Sequence, residues 1–493
     1  MSGMGLLLAL DQGTTSTRAM VFTPSGDPLT TAQQPLEQHY PQAGWVEHDP
    51  ERIWRDTVAV LRDAIAAVDA AQIAALGITN QRETVVVWER ASGKPIYRAI
   101  VWQDRRTAEA CAALRSAGHE ADVQQRTGLL LDPYFSATKI AWILDHVAGA
   151  RAAAERGELA CGTIDSFIIW RLSGGRVHVT DATNASRTQL ADLRTSAWDD
   201  RLLDLFRVPR GILPRIVDCS GVIAHTDAAI LGKAIPIAGI AGDQLAAAIG
   251  QACVEPGMAK ATFGTGCFVL IHTGTVVPVS RNRLLSTVAW RLNGRCAYAL
   301  EGSIFNAGTA VQWLRDQLGM VNSAAETEQL AASLTDNAGV YLVPAFTGLG
   351  APWWDPEARG IITGLTRDTG RAHLARACLE AVAYQCRDLL EACAADGATV
   401  QRLRVDGGMV QNRWLLQFLA DQCAVPVDRP VVTETTALGA AFLAGMAVGL
   451  VPAIHDLGTL WRGDLRVDPR MASAQRNRLH AGWREAVARA QST

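Results

Sequence analysis

The chain lacks most of the short patterns that give a nucleotide enzyme away. There is no Gly-Lys-Ser/Thr phosphate loop, because Gly93-Lys94 is followed by proline and Gly232-Lys233 by alanine. No dinucleotide fingerprint follows the first strand-like run. No HRD or DFG set of the protein-kinase type occurs. The ten cysteines are scattered, with no CxxC pair and no Cys/His spacing suited to zinc. An excess of charge is missing too. The net charge is −3, which gives no electrostatic case for nucleic acid or an anionic membrane. Lysine is scarce, with only Lys94, Lys139, Lys233 and Lys260, a compositional bias rather than a functional signal. A membrane-length apolar run is also absent. "TALGAAFLAGMAVGLV" falls short of the ~20 residues a span needs and is rich in Gly and Ala, so it predicts a buried helix. The chain enters a strand almost at once, which predicts no signal peptide. Together with the dispersed cysteines, this predicts a reduced, cytoplasmic protein.

What is present is a large apolar fraction, 49% of 493 residues, enough for more than one core. Strand-like and helix-like runs alternate throughout, which predicts α/β layers. In "DPERIWRDTVAVLRDAIAAV", Asp49 caps, Pro50 suits the first turn, and Trp54, Val58, Leu61, Ile65 and Val68 recur at helical spacing. "IAALGIT" and "TVVVW" read as strands joined by the polar corner "NQRE". The polar stretches near 110–130 and 320–340 read as local insertions or surface turns.

Two corners share one design. "LLLALDQGTTSTRAMVF" and "AKATFGTGCFVLIHTG" each run an apolar strand into a Gly-Thr turn and out along another strand. No residue-level repeat accompanies them. The shared device predicts two lobes of similar plan, divided near residue 250, each offering a hairpin to one cleft: 1–250 and 251–493. In the first corner Gly13 permits a tight turn, and Thr14, Thr15 and Ser16 can aim N–H and hydroxyl groups at one anion. Asp11 repels phosphate by itself and makes sense beside a magnesium ion, and Arg18 offsets phosphate charge. A polar β-turn accounts for the same residues. A third element, "LRVDGGMVQNRW", reads as strand, double glycine and helix. Gly407 and Gly408 let a flat ring lie close to the backbone, with Asn412 one turn into the helix.

"IAGIAGDQLAAA" sets Asp243 and Gln244 between a strand and an alanine-rich helix. A carboxylate there suits a general base on a substrate hydroxyl, or a helix cap. Arg82 and Glu83 read either as a surface pair or as a desolvated pair gripping hydroxyl groups from two sides. Tyr134, Trp102 and Phe268, taken singly, are core or rim aromatics. His39 and His48 read as turn residues rather than metal ligands.

The blocks "ALDQGTTSTR", "GWVEHDP", "TNQRET", "VWQDRR", "LDPYFSATKIAWILDH", "IAGIAGDQ", "FGTGCF", "AGTAVQWLRD" and "VDGGMVQNRWLLQF" stand in one order over residues 6–490. In this the chain resembles the FGGY carbohydrate kinase family. The resemblance implies an α/β fold of two ribonuclease H-like (actin-like ATPase) lobes around a central cleft. It also implies in-line transfer of phosphate from ATP to a polyol, with Mg²⁺ as cofactor and a homo-oligomeric assembly. "NQRET", "LDPYFS" and "AGDQ" narrow the acceptor to glycerol rather than a sugar. Thr14, Thr15, Ser16 and Arg18 resemble the first phosphate hairpin, Asp11 the metal carboxylate and Thr265 the contact in the second hairpin. Gly308 and Gln312 resemble the nucleotide wall, and Gly408 and Asn412 the adenosine platform. Arg82, Glu83, Tyr134, Asp243 and Gln244 resemble ligands of the glycerol hydroxyls, with Asp243 as base. Trp102 and Phe268 resemble the apolar wall. The stretch "IAHTDAAILGKAIPIAGIAGDQ" departs from regulated relatives. It has no arginine in its loop, and His225 is out of place for phosphorylation, so both modes of regulation are expected to be absent. The alternatives are a kinase for another polyol or ketose, and a nucleotide-gated actin-like ATPase with no small acceptor.

Overall fold

The computed structural model describes residues 5–355 and 357–492. Two mixed sheets organise the chain. The first contains β1 (Leu6–Gln12), β2 (Ser16–Phe22), β3 (Pro28–Pro35), β4 (Ile73–Asn80), β5 (Ser220–His225) and β6 (Pro236–Gly242), in the order β5-β6-β4-β1-β2-β3. The second contains β7 (Met258–Phe263), β8 (Cys267–Gly274), β9 (Leu285–Leu292), β10 (Arg295–Ile304), β11 (Arg402–Asp406), β12 (Val427–Pro430) and β13 (Gly463–Val467), in the order β9-β10-β8-β7-β11-β12-β13.

The plan repeats. β1 pairs antiparallel with β2 and parallel with β4, and β7 pairs antiparallel with β8 and parallel with β11. Each Gly-Thr corner therefore closes a hairpin inside its own sheet, with one strand paired parallel to a further strand. A parallel neighbour needs a crossover rather than a tight turn, and helices supply it. One such helix, α1 (Pro50–Ala66), lies between β3 and β4; Asp49 accepts the Glu51 N–H at 2.9 Å and Pro50 occupies the first turn, as the spacing predicts.

The corner "NQRE" joins strands in different sheets. β4 belongs to the first sheet, while Val85–Glu89 joins a four-stranded sheet with Glu47–His48, Ala99–Ile100 and Leu159–Thr163. His48 is thus a buried strand residue rather than a turn residue. The polar stretches near 110–130 and 320–340 are also not mere turns. They carry the helices Ala108–Ser116, Glu120–Thr127 and Glu326–Ala332, which bury only one or two residues each beneath a polar face. Four further helices used below are α2 (Ser136–His146), α3 (Asp243–Gly250), α4 (Gly308–Asp316) and α5 (Arg413–Cys423).

The apolar run at 435–450 forms α6 (Thr435–Ala447), buried along most of its length. It follows the last parallel strand of the second sheet, yet it packs on β1, β4 and β6 of the first sheet and on α3. Glycines permit this approach. A Cβ on Gly439 would lie 1.8 Å from the Ala246 carbonyl oxygen, and one on Gly77 would lie 2.0 Å from that of Ala440. One apolar cluster accordingly runs through both lobes, joining Leu7, Ala9 and Leu245 to Leu270, Trp290, Ala437 and Phe442.

Candidate active site

The first corner is a three-residue link in which Gly13 N–H donates to the Ser16 carbonyl at 2.9 Å. Thr15 is exposed at its tip, and Thr14 and Ser16 are half-buried. Behind it, buried Gln12 and Gln81 bond side chain to side chain at 3.1 Å, and Gln81 Nε2 also donates to the Gly13 carbonyl at 3.0 Å. Asp11 and Arg18 face each other across the β1–β2 ladder. Arg18, expected to offset phosphate charge, has protein partners here. Its Nη1 pairs with Glu434 just before α6, and its Nε donates to Gln33 at 3.2 Å.

The second corner is held open by backbone. The Thr265 carbonyl accepts the Ala307 N–H at 3.0 Å and the Thr309 N–H at 3.1 Å, which fixes the start of α4 against it. Gly308 N–H donates to the Gly264 carbonyl at 3.0 Å, and a Cβ on Gly308 would sit 2.5 Å from that oxygen. Thr265 and Gln312 are exposed. Gly407, at φ 91°, lies against the Phe263 carbonyl, whereas Gly408 has open space where a side chain would stand. Met409 comes within 3.6 Å of the Cβ position of Gly308, so the double-glycine corner and the start of α4 are neighbours. Asn412 is not one turn into a helix. It is the cap of α5, its Oδ1 accepting the Leu415 N–H at 2.9 Å and its Nδ2 reaching Thr327 at 3.3 Å. An Asn between a glycine corner and an amphipathic run is a cap signal by residue type.

Between the hairpins lies a buried ionic cluster. Arg82 and Glu83 are 3% and 1% exposed, which excludes the surface-pair reading. They also do not pair with each other. Glu83 sits at φ 58°, in the left-handed region, so the corner sends the two side chains to different partners. Arg82 grips Glu301 with two parallel bonds of 2.6 and 2.9 Å, and its Nε lies 3.1 Å from Asp243. Glu83 accepts from Arg187 at 2.6 Å, and Arg187 also reaches Glu301 at 3.2 Å. Burial pushes Glu301 up, but Arg187 and Arg82 outweigh it and hold the carboxyl down at about 2. Burial raises Glu83 despite Arg187 and Arg82. Lys260, on β7, donates to Gln244 and, at 2.8 Å, to Thr262; burial lowers its pKa, opposed by Asp406 and Asp243.

Asp243 is the first residue of α3, with its side chain 30% exposed. Its Oδ1 accepts the Gln244 N–H at 2.6 Å. The aromatic wall closes one side. Trp102 meets Tyr134 at 5.5 Å and Phe268 at 6.2 Å, edge to face in both cases. Trp102 Nε1 also donates to the Thr14 hydroxyl at 2.9 Å, tying the wall to the first hairpin. Arg187 stacks its guanidinium over the Tyr134 ring at 5.5 Å. Burial pushes the Tyr134 phenol well above its ordinary range, so it stays a neutral donor.

Glu301, Arg187 and Lys260 escape the sequence reading. Glu301 and Arg187 are lone charges in otherwise unremarked segments, and Lys260 stands at the start of the strand into the second corner; only their buried partners mark them. Asp11 is pushed up to about 7 by burial and by the charges of Asp243 and Glu434, against Arg18. Carboxylates that destabilise one another in an enclosed site suit a hard divalent cation with oxygen ligands. Among the described residues, the one group of three potential metal ligands whose ligand atoms all lie within 4.8 Å of one another is Asp388, Glu391 and His480. There His480 and Trp483 already occupy both Asp388 oxygens at 2.7 Å.

Residues 6–250 match the N-terminal domain of the FGGY family of carbohydrate kinases, and residues 259–448 match its C-terminal domain. The chain is 60% identical to the glycerol kinase of Rhodospirillum centenum over 488 residues, 99% of this chain and 98% of that one. It is 57% identical to glycerol kinase 1 of Pseudomonas aeruginosa over 99% of both. Among solved structures, the glycerol kinase of Plasmodium falciparum with ADP superposes at a TM-score of 0.95, with 34% identity and 99% of both chains covered. The xylulose kinase of Lactobacillus acidophilus, at 22% identity and a TM-score of 0.88, shares the fold. Matched in both domains and over nearly its whole length, the chain belongs to the FGGY family of carbohydrate kinases.

Proposed function

We infer that the protein transfers the γ-phosphate of ATP to a terminal hydroxyl of glycerol, giving sn-glycerol 3-phosphate. The observation that carries this reading is identity of 56–60% with several glycerol kinases over almost the entire chain. The site chemistry supports it. A three-carbon triol offers little apolar surface, so it must be recognised through its hydroxyl groups. Arg82, Glu83, Asp243, Gln244 and Tyr134 form such a polar set against the Trp102–Phe268 wall. A site of this kind rejects an analogue lacking one hydroxyl by up to about 10⁴–10⁵-fold.

Phosphoryl transfer asks for positioning and charge neutralisation more than covalent chemistry. In this reading Thr14, Thr15 and Ser16 hold the phosphates from the first lobe and Thr265 holds them from the second. Gly308, Gln312, Gly408 and Asn412 flank the nucleoside, and Arg18 offsets charge once released from Glu434. Asp243 takes the proton from the attacking hydroxyl, with Arg82 Nε fixing the orientation of its carboxylate. ATP-dependent kinases of this type use a divalent cation. We assign Mg²⁺, held near Asp11 through oxygen ligands, where it would neutralise phosphate charge. The two-lobe division near residue 250 and closure around the cleft belong to the same reading, since closure keeps water from the phosphoryl group.

We also place the enzyme in the cytoplasm as a homo-oligomer. All ten cysteines are free, and among the described residues no helix is long and apolar enough to cross a membrane. Light scattering checks the assembly state. The functional test is a coupled assay with ATP and Mg²⁺ over glycerol, xylulose, ribulose and gluconate. Glycerol is expected to be strongly preferred. Preference for a pentulose would favour the ketose kinase, and ATP turnover indifferent to glycerol would favour the gated ATPase.

A further inference from the structure

The ionic cluster beneath the acceptor site spans two lobes. Arg82 follows β4 of the first sheet and Arg187 lies in the first half of the chain, whereas Glu301 is on β10 of the second sheet, directly opposite Leu270 of β8. β8 is also the strand that leaves the second hairpin. Glu301 is fully buried and spends one carboxylate on two guanidinium groups. Planar, paired bonds of this kind fix orientation as well as distance. Gripped at Nη1 and Nη2 by Glu301 and at Nε by Asp243, the Arg82 plane has one allowed pose, with N–H donors left over for a substrate hydroxyl. Arg187 does the same for Glu83: Nε fixes the carboxylate at 2.6 Å, Nη2 ties it to Glu301, and the guanidinium stacks on Tyr134. Nη1 of Arg187 is buried without a protein partner.

We propose that Glu301 and Arg187 are positioning residues for glycerol: through them the second sheet sets the pose of Arg82 and Glu83, so that acceptor recognition is registered to the lobe carrying the second hairpin. This rests on the functional reading above. Neither residue need touch the substrate. Without the Glu301 charge, two buried guanidinium groups lose their shared counter-ion and Arg82 is free to turn onto Asp243. Loss of Arg187 leaves Glu83 buried and unpaired.

The test compares Glu301→Gln, Glu301→Asp and Arg187→Lys with wild type. The readouts are glycerol KM, ATP KM, kcat, and the preference for glycerol over propane-1,2-diol, each per mole of ADP-binding sites. Glu301→Gln is expected to raise the glycerol KM about tenfold or more and to narrow the preference over the diol, since small misplacements of a substrate-holding group cost up to about 10²-fold. The ATP KM should stay within about twofold. Glu301→Asp keeps the charge and should recover part of the loss. Arg187→Lys keeps the charge but cannot bridge both carboxylates, and should show the same glycerol-specific defect; it carries the test if Glu301→Gln does not fold. Unchanged glycerol KM and diol preference in the folded variants, or an equal rise in both KM values, would overturn the proposal. Wild-type protein that phosphorylates no glycerol overturns the functional reading itself, and this inference with it.

Discussion

At the scale of single residues, the account turns on where charge is buried and who shares it. Asp243 keeps a partly exposed carboxylate at the start of α3, oriented by Arg82, and that is the geometry a base needs to meet an incoming hydroxyl. Asp243→Asn keeps the shape and removes the basicity. Steady-state kinetics are expected to show turnover lowered at least ~10²-fold with the ATP KM nearly unchanged; turnover near wild type would assign the base elsewhere. Gly408 offers a complementary case. Nothing stands within 4 Å of its absent side chain, so Gly408→Trp costs little stability while covering the surface assigned to the adenine ring. The ATP KM should rise several-fold more than the glycerol KM, with the melting temperature held. Residue type drew attention to Asp11, Asp243 and the glycine corners, but acids and glycines also end ordinary strands and cap helices, so their roles rest on the ordered blocks shared with the family. It missed Glu301, which lies 219 residues from Arg82. It also treated Arg82 and Glu83 as a pair, because adjacency in sequence hides a left-handed corner that separates the two side chains.

At the scale of elements, the two hairpins and α6 do different work. The hairpins were legible from the apolar-glycine-threonine-apolar pattern, which is local. The destination of α6 was not. Its composition announces a buried helix, but nothing in a run of Ala, Gly and Leu says that it packs on the first sheet. The reason is backbone contact rather than side-chain chemistry. Gly439 touches the Ala246 carbonyl, and Gly250 approaches Thr435 so closely that a Cβ would come within 2.0 Å of its oxygen. Gly439→Ala must therefore push α3 and α6 apart. Overpacking of this kind costs roughly 1–3 kcal/mol or more. The apparent melting temperature should fall by several degrees and kcat should drop with it, because Asp243 begins α3. Differential scanning calorimetry with parallel kinetics checks both; an unchanged melting point would mean that the helices are not in contact.

At the scale of the whole molecule, repetition of one strand plan and a shared core make the lobes interdependent, and acid should expose this. Burial lowers His178 to about 4, with its Nε2–H donating to the Cys161 carbonyl at 3.0 Å and Nδ1 lying 3.4 Å from the Arg90 guanidinium. A proton on Nδ1 would face a cation. His48 and His272 are likewise held down to about 4, chiefly by burial. The folded state disfavours the charged form of all three. Above pH ~6.5, the ordinary histidine value, neither state carries the proton and nothing is lost; as pH falls from ~6.5 towards 4 the unfolded chain takes it up and stability declines. These three therefore contribute a fall of melting temperature in that window, opposed by the raised carboxyls of Asp11 and Asp165, which take up their proton in the folded state first. In melting temperature against pH, His178→Gln should remove its share of the acid loss. A slope unaltered by the substitution would contradict the assignment.

The central claim is that the opposed hairpins present the γ-phosphorus of ATP to a glycerol hydroxyl deprotonated by Asp243, in one in-line displacement. Its most direct test is the reaction of glycerol with ATP made chiral at the γ-phosphorus by oxygen isotopes, followed by the configuration of the phosphate on the product. The account predicts sn-glycerol 3-phosphate with configuration inverted at phosphorus. Product with retained configuration, or no isotope-bearing phosphate on glycerol, would contradict it.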